Sequence, residues 1–90
     1  MNIKVFGKQG CAKCTTTKNK LNHLITKFNY NNVSLDFVDM DTVDGMAASA
    51  YNDVFKVPTT IIQKNNNTIK KWEEQVPNSE EIKQILDETV

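Results

Sequence analysis

The sequence predicts an α/β fold, a four-stranded mixed sheet flanked by three helices in the order β-α-β-α-β-β-α. Three observations carry it. Short β-branched or alternating apolar runs recur at residues 3–6, 33–40, 59–62 and 68–72. Segments with apolar residues at helical spacing stand between the first three runs and after the last. Asn65-Asn66-Asn67 makes a turn between the final two runs, which therefore read as a hairpin, whereas strands joined through helices imply parallel pairing with right-handed crossovers. Ninety residues make a single domain, 1–90.

Each element has its own local reason. Ile3, Val5 and Phe6 form the first strand, ended by Gly7, and Lys8-Gln9-Gly10 reads as a loop. Over residues 14–29, Leu21, Leu24, Ile25 and Phe28 make one helical stripe, with Lys13, Lys20 and Lys27 on the other side. Asn29-Tyr30-Asn31-Asn32 breaks that helix, and residues 33–40 alternate into a second strand. Asp41-Thr42 offers caps for a helix at about 43–53, with Met46, Ala50 and Val54 expected on its inner face and Gly45 weakening its start. Thr59-Thr60-Ile61-Ile62 is β-branched throughout. Pro77-Asn78-Ser79 opens the last helix. Its buried stripe is Ile82, Ile85 and Leu86, and Glu80-Glu81 in the first turn suit the helix dipole.

Composition narrows the function classes. Eleven lysines balance eleven acids, with no arginine, so the basic excess of a nucleic-acid binder is absent. No apolar run approaches a membrane span. The opening Met1-Asn2-Ile3-Lys4 lacks the apolar stretch of a secretory leader, and a cytoplasmic location is expected. In a reducing compartment, two cysteines three apart point to catalysis or metal binding rather than to a structural staple.

Cys11-Ala12-Lys13-Cys14 follows a strand and opens a helix. A helix N-terminus presents unpaired N–H groups and a partial positive charge, and both favour thiolate over thiol. Thiol pKa values in such motifs fall from about 8.5 to roughly 3.5–7.5. Cys11 belongs at the cap, exposed and activated; Cys14 belongs one turn inside on the same face. That division makes Cys11 the attacking thiol and Cys14 the one that resolves the mixed disulfide. Lys8 and Lys13 flank the pair and add positive potential that would attract a substrate carboxylate. Tetrahedral zinc needs four ligands, and the one histidine, His23, lies more than two helical turns away. Asp39, Asp41 and Asp44 have helix capping as their ordinary explanation. Trp72, the single tryptophan, reads as a cover for the sheet edge.

Residues 5–14, with Lys18 and Leu21, resemble the opening of glutaredoxins and other small thioredoxin-fold proteins. Phe37-Val38-Asp39-Met40-Asp41 looks like their second strand, and Lys56-Val57-Pro58-Thr59 like their threonine-valine-proline loop with Lys56 in place of Thr. The resemblance covers about residues 3–88. It implies a thioredoxin-like fold, a cis Pro58 facing the cysteines, and a Val57 backbone that pairs with a substrate chain or glutathione. Several departures stand out. Ala12-Lys13 replaces the Pro-Tyr of glutaredoxins, and Lys71-Trp72-Glu73-Glu74-Gln75 lacks their glutathione-holding Gly-Gly and Asp. Gly10 and Val5 replace the Trp and buried Asp of thioredoxins proper. Residues 76–86 and the Gly-Cys-Ala-Lys-Cys opening are similar to small prokaryotic thioredoxin-like redox-active disulfide proteins.

The resulting expectation is a thiol–disulfide oxidoreductase or electron carrier. It would cycle a Cys11–Cys14 dithiol against protein disulfides or glutathione mixed disulfides. No resident metal or cofactor is expected, with glutathione a candidate reductant beside an upstream reductase. Disulfide-bearing proteins are the expected partners, without nucleic acid or membrane, and the chain is expected to be a monomer. The rival is a metal-carrying module. Small copper chaperones also place C-x-x-C between a strand and a helix, but in a β-α-β-β-α-β order that ends in a strand.

Overall fold

The computed structural model describes residues 1–89. It contains β1 (Asn2–Gly7), α1 (Ala12–Lys27), β2 (Ser34–Asp39), α2 (Val43–Tyr51), β3 (Thr59–Lys64), β4 (Asn67–Glu73) and α3 (Ser79–Thr89). Val90, the end of the expected domain, lies outside the described residues. The strands form one mixed sheet in the order β2-β1-β3-β4. β1 and β2 are parallel, from Asn2 opposite Ser34 to Gly7 opposite Asp39.

The expectation of parallel pairing across every helix fails at β3, which runs antiparallel to β1, with Phe6 opposite Thr59 and Asn2 opposite Gln63. The reason is the route of the chain. α2 starts against the end of β2, where its Gly45 meets the Asp39 carbonyl. It finishes near the far end of β3, where Gln63 Nε2 donates to Asn52 Oδ1 at 3.3 Å. The stretch from Asn52 to Pro58 then returns the chain to the end it left, so β3 enters in the reverse direction.

Two apolar clusters cover the two faces. On one, Ile3, Val5, Ile62 and Trp72 of the sheet pack with Leu21 and Leu24 of α1 and Ile82 and Leu86 of α3. On the other, Phe6, Val54 and Ile61 are joined by Val38, Met40 and Ala48. Full burial of a side chain such as Leu21 or Ile82 contributes about 1.5–3 kcal/mol. Trp72 is 5% exposed, and its Nε1 donates to Glu81 Oε1 at 3.0 Å, so its one polar atom is satisfied while the ring closes the sheet.

The inner face of α2 differs from the sequence expectation. Gly45 and Ser49 are its buried residues, whereas Met46 is 53% exposed and Ala50 faces solvent. Val54 is buried, but from the loop beyond the helix. The helix lies so close to β2 that only small residues fit between, and closeness overrides apolar patterning. Its start is well defined: Thr42 Oγ1 accepts from the Gly45 N–H at 2.9 Å. On α1 the buried stripe is Cys14, Thr17, Leu21 and Leu24, one turn earlier than expected, and Phe28 is the half-exposed C-cap. The β3–β4 turn is tight. Asn65 and Asn66 both hold positive φ (53° and 67°), as a two-residue primed turn requires.

Candidate active site

β1 ends at Gly7, and Lys8-Gln9-Gly10 carries the chain over to α1. Gly10 takes a left-handed φ of 78°, a conformation that costs glycine little. Cys11 is then the N-cap of α1. Its Sγ accepts the Cys14 N–H at 3.2 Å, and its carbonyl accepts the Thr15 N–H at 3.2 Å. The sulfur thus satisfies one of the orphan donors of the first turn, which is where the N–H groups and helix dipole favour negative charge. The two cysteines form a disulfide across a Cα–Cα separation of 5.2 Å. They are unequal in access: Cys14 is 1% exposed, and Cys11 is partly open to solvent.

Close packing from β1 sets the depth of Cys14. A Cβ on Gly7 would stand 2.8 Å from Cys14 Cβ, 2.9 Å from its Sγ and 3.0 Å from Phe37 Cζ. The absent side chain is therefore what lets α1 settle onto the strand. In the sequence Gly7 marks only the end of a strand. Nothing local to it reveals that a helix returns over it.

The second loop reaches the same sheet end. The Val57–Pro58 peptide is cis, Pro58 is buried, and Val57 is partly exposed. The β1–β3 ladder pairs Phe6 with Thr59, so its next step would set Pro58 beside Gly7, the residue that abuts Cys14. Thr59 Oγ1 donates to the Lys56 carbonyl at 2.7 Å and closes this loop on itself. Cys11, Cys14, Val57 and Pro58 are thus gathered at one end of the sheet. Lys8 and Lys13 stand on the rim with exposed side chains, and no carboxylate lies within ion-pair distance of either among the described residues. His23 is exposed on α1. Among the described residues, no three His, Cys, Asp or Glu side chains are grouped to hold a metal ion. Asp39 Oδ1 accepts the Asp41 N–H at 2.9 Å, and Asp44 lies in the first turn of α2, so the acids here serve turn and helix ends. Among the described residues no helix is long and apolar enough to cross a membrane.

A helix-capping cysteine, its buried partner and a cis-proline loop at the end of a four-stranded sheet define a thioredoxin-like site. The chain belongs to the family described as "Thioredoxin domain", whose match spans residues 1–87. Among solved structures it is similar to thioredoxin-2 of the malaria parasite, described as a component of its protein secretion machinery. That match has a TM-score of 0.81 and 20% identity, over 97% of this chain and 81% of the other. It is similar to oxidised thioredoxin O2 of Arabidopsis thaliana, with a TM-score of 0.79 and 19% identity over 98% and 73% of the two chains. It is also similar to thioredoxin 1 of Thermosipho africanus, with a TM-score of 0.72 and 22% identity over 97% and 88%. No curated protein matches the chain. At these identities the structural likeness speaks to the fold alone.

Proposed function

We propose that the protein is a thiol–disulfide oxidoreductase that reduces disulfides of partner proteins, with Cys11 as the attacking thiol and Cys14 as the resolving one. The observation that carries this reading is the asymmetry of the pair. Cys11 is accessible and its sulfur accepts the Cys14 N–H, while Cys14 is sealed beneath it.

In the reduced form, the Cys11 thiolate attacks one sulfur of a substrate disulfide. A bond forms between Cys11 and that sulfur, the substrate S–S bond breaks, and the departing substrate thiolate takes a proton from water. Cys14, deprotonated, then attacks Cys11 Sγ and expels the second substrate thiolate. Two electrons pass from the dithiol to the substrate, and the Cys11–Cys14 disulfide remains. An upstream dithiol reductant restores the pair. The helix N-terminus lowers the cost of negative charge on Cys11 before the first step. Val57, partly exposed at the same end of the sheet as the pair, is suited to align an extended substrate chain through its backbone. Lys8 and Lys13 supply positive potential to an incoming carboxylate. In this role the protein works as a cytoplasmic monomer without a resident cofactor, and glutathione is a weak reductant of it.

The test is trapping. Cys14→Ser should accumulate a mixed disulfide on Cys11 with a disulfide-bearing protein, and Cys11→Ser should accumulate none. Limiting alkylation of the reduced protein near neutral pH should label Cys11 first. Preferential labelling of Cys14 would reverse the two roles.

A further inference from the structure

The zero net charge conceals a segregation. The first 35 residues contain Lys4, Lys8, Lys13, Lys18, Lys20 and Lys27 and not one acid; the rest of the chain contains five lysines and all eleven acids. The first 35 residues, which include β1, α1 and the Lys8 loop that together present the cysteine pair, therefore carry a side-chain charge of +6, and the remainder carries −6. The later lysines are largely matched. Lys56, Lys70, Lys71 and Lys83 pair with Glu74, Glu81, Glu73 and Asp87. None of Lys8, Lys13 and Lys18 has a carboxylate within ion-pair distance among the described residues.

This unmatched charge borders a cleft of about 330 Å³ next to Cys11, lined by Lys8, Gln9, Thr15, Lys18, Asn19 and Phe37. Lys18 Nζ sits 5.3 Å from the centre of the Phe37 ring, which is 37% exposed. No acid lines the cleft. Of the β2 acids, Asp36 Oδ2 accepts from Asn2 Nδ2 at 2.9 Å and Asp39 Oδ1 accepts the Asp41 amide at 2.9 Å. The Lys8 carbonyl receives the Cys11 N–H at 3.4 Å, and Thr15 Oγ1 donates to the Cys11 carbonyl at 3.4 Å, so the cleft wall is tied to the backbone of Cys11. A larger cleft of about 480 Å³ beside Trp72 lies between β4 and α3, and two of its three lysines are already neutralised by Glu81 and Glu73.

We infer that the Lys8–Lys18–Phe37 cleft docks an acidic segment flanking the disulfide of the partner protein, and so selects acidic substrates for the redox site. This rests on the thiol–disulfide reading. Two ammonium groups meet carboxylates, the Phe37 ring offers an apolar floor, and the amides of Gln9 and Asn19 bind backbone or carboxylate oxygens. A protein segment fits better than nucleic acid. The positive face is confined to β1 and α1, a long polyanion would run onto the negative remainder, and the chain has no arginine for phosphate forks.

The test uses three disulfide-bridged peptides that differ only in flanking residues, acidic, neutral or lysine-bearing. Each is mixed with the stoichiometrically reduced protein, and peptide thiol release is timed. At about 10 mM salt the acidic peptide should react roughly tenfold faster than the neutral one, and the lysine peptide slowest. Near 150 mM salt the differences should shrink as the Debye length falls from about 30 Å to about 8 Å. In the Lys8→Gln, Lys18→Gln double variant the acidic-to-neutral ratio should collapse towards one. Equal rates for the three peptides, or a ratio untouched by the double variant, would overturn the inference while leaving the oxidoreductase reading intact. Binding is read separately by amide chemical shifts with a cysteine-free acidic peptide, expected to perturb residues 8–10, 15–19 and Phe37. Those shifts without exchange on any peptide would retain the docking site and sink the oxidoreductase reading. Stronger perturbation of the same amides by a short single-stranded RNA would overturn the choice of partner.

Discussion

Gly7 shows how little of a site need be chemically reactive. It carries no side chain, yet it sets the distance between β1 and the buried sulfur of Cys14. Gly7→Ala would insert a methyl 2.8 Å from Cys14 Cβ, with Phe37 closing the third side at 3.0 Å. The Phe37 ring, 37% exposed, can swing aside, but Cys14 Cβ is fixed to the first turn of α1, so relief has to come from a shift of that turn. Overpacking of this kind costs about 1–3 kcal/mol. Urea unfolding of the oxidised and reduced forms should show a loss in that range, and trapping on Cys11 should slow because the cap moves with the turn. An unchanged midpoint would mean that α1 is not held this close. The cysteines were legible in the sequence because their spacing and their place between a strand and a helix are local. Gly7 was not, because its role exists only once α1 has folded back over it.

At the scale of the element, propensity and packing disagree on α2. In an exposed helix Gly→Ala gains about 1 kcal/mol. Gly45, however, is buried against the Asp39 carbonyl, and a Cβ there would collide with backbone and crowd the Thr42 hydroxyl that caps the helix. Gly45→Ala is therefore expected to destabilise by about 1–3 kcal/mol, read as a lower urea midpoint, whereas a gain would restore the propensity argument. The inner face of α2 is not legible in the sequence for the same reason: a contact made by Gly45 and Ser49 has no apolar periodicity. A second element-scale device ties α3 to the segment after α1. Tyr30 Oη donates to Asp87 Oδ1 at 2.5 Å, and Lys83 Nζ donates to Asp87 Oδ2 at 2.6 Å. Hydrogen bonds from Lys83 and then Tyr30 hold the Asp87 carboxyl below its ordinary 3.8. Burial first, and the Asp87 bond second, push the Tyr30 hydroxyl above its ordinary 10.0. A depressed carboxyl stabilises the fold above its unfolded pKa and loses that contribution as pH falls through the folded one; a raised tyrosine does the reverse at the alkaline end. The tie should therefore hold between about pH 4 and pH 10. Asp87→Asn should lower the urea midpoint at pH 7, and the difference from wild type should vanish at the acid end. A difference that persists there would assign the effect to packing rather than charge.

Across the whole molecule, the order of elements was legible because each has its own periodicity and its own stop. The reversal of β3 was not. It depends on the return of the chain from Asn52 to Pro58, whose direction no local pattern records. The same return, and the end of β4, decide how the second side of the redox site is furnished, and this bears on glutathione. Where glutaredoxins carry Gly-Gly and an acid that help hold the tripeptide, this chain has Glu73-Glu74-Gln75. Glu73 lies opposite Thr59, next to Pro58, and Glu74 pairs with Lys56 at 3.6 Å across the same gap. Glu74 also holds a left-handed φ of 56°, so the backbone turns where glycine would turn it while a carboxylate projects there instead. Two acids thus face the side where an anionic tripeptide would extend, and the cations beside them, Lys56 and Lys71, are already matched. Glutathione is expected to perturb amides near Lys8 and Cys11 only weakly and to leave residues 71–75 unmoved in an NMR titration. Glu73→Gln with Glu74→Gly removes both charges and the φ strain together, so it should tighten glutathione binding and extend the perturbation to residues 71–75 without lowering stability. Saturable binding of the wild-type chain at both places would show that the acids do not exclude the tripeptide, and glutathione would then stand as a reductant of this site.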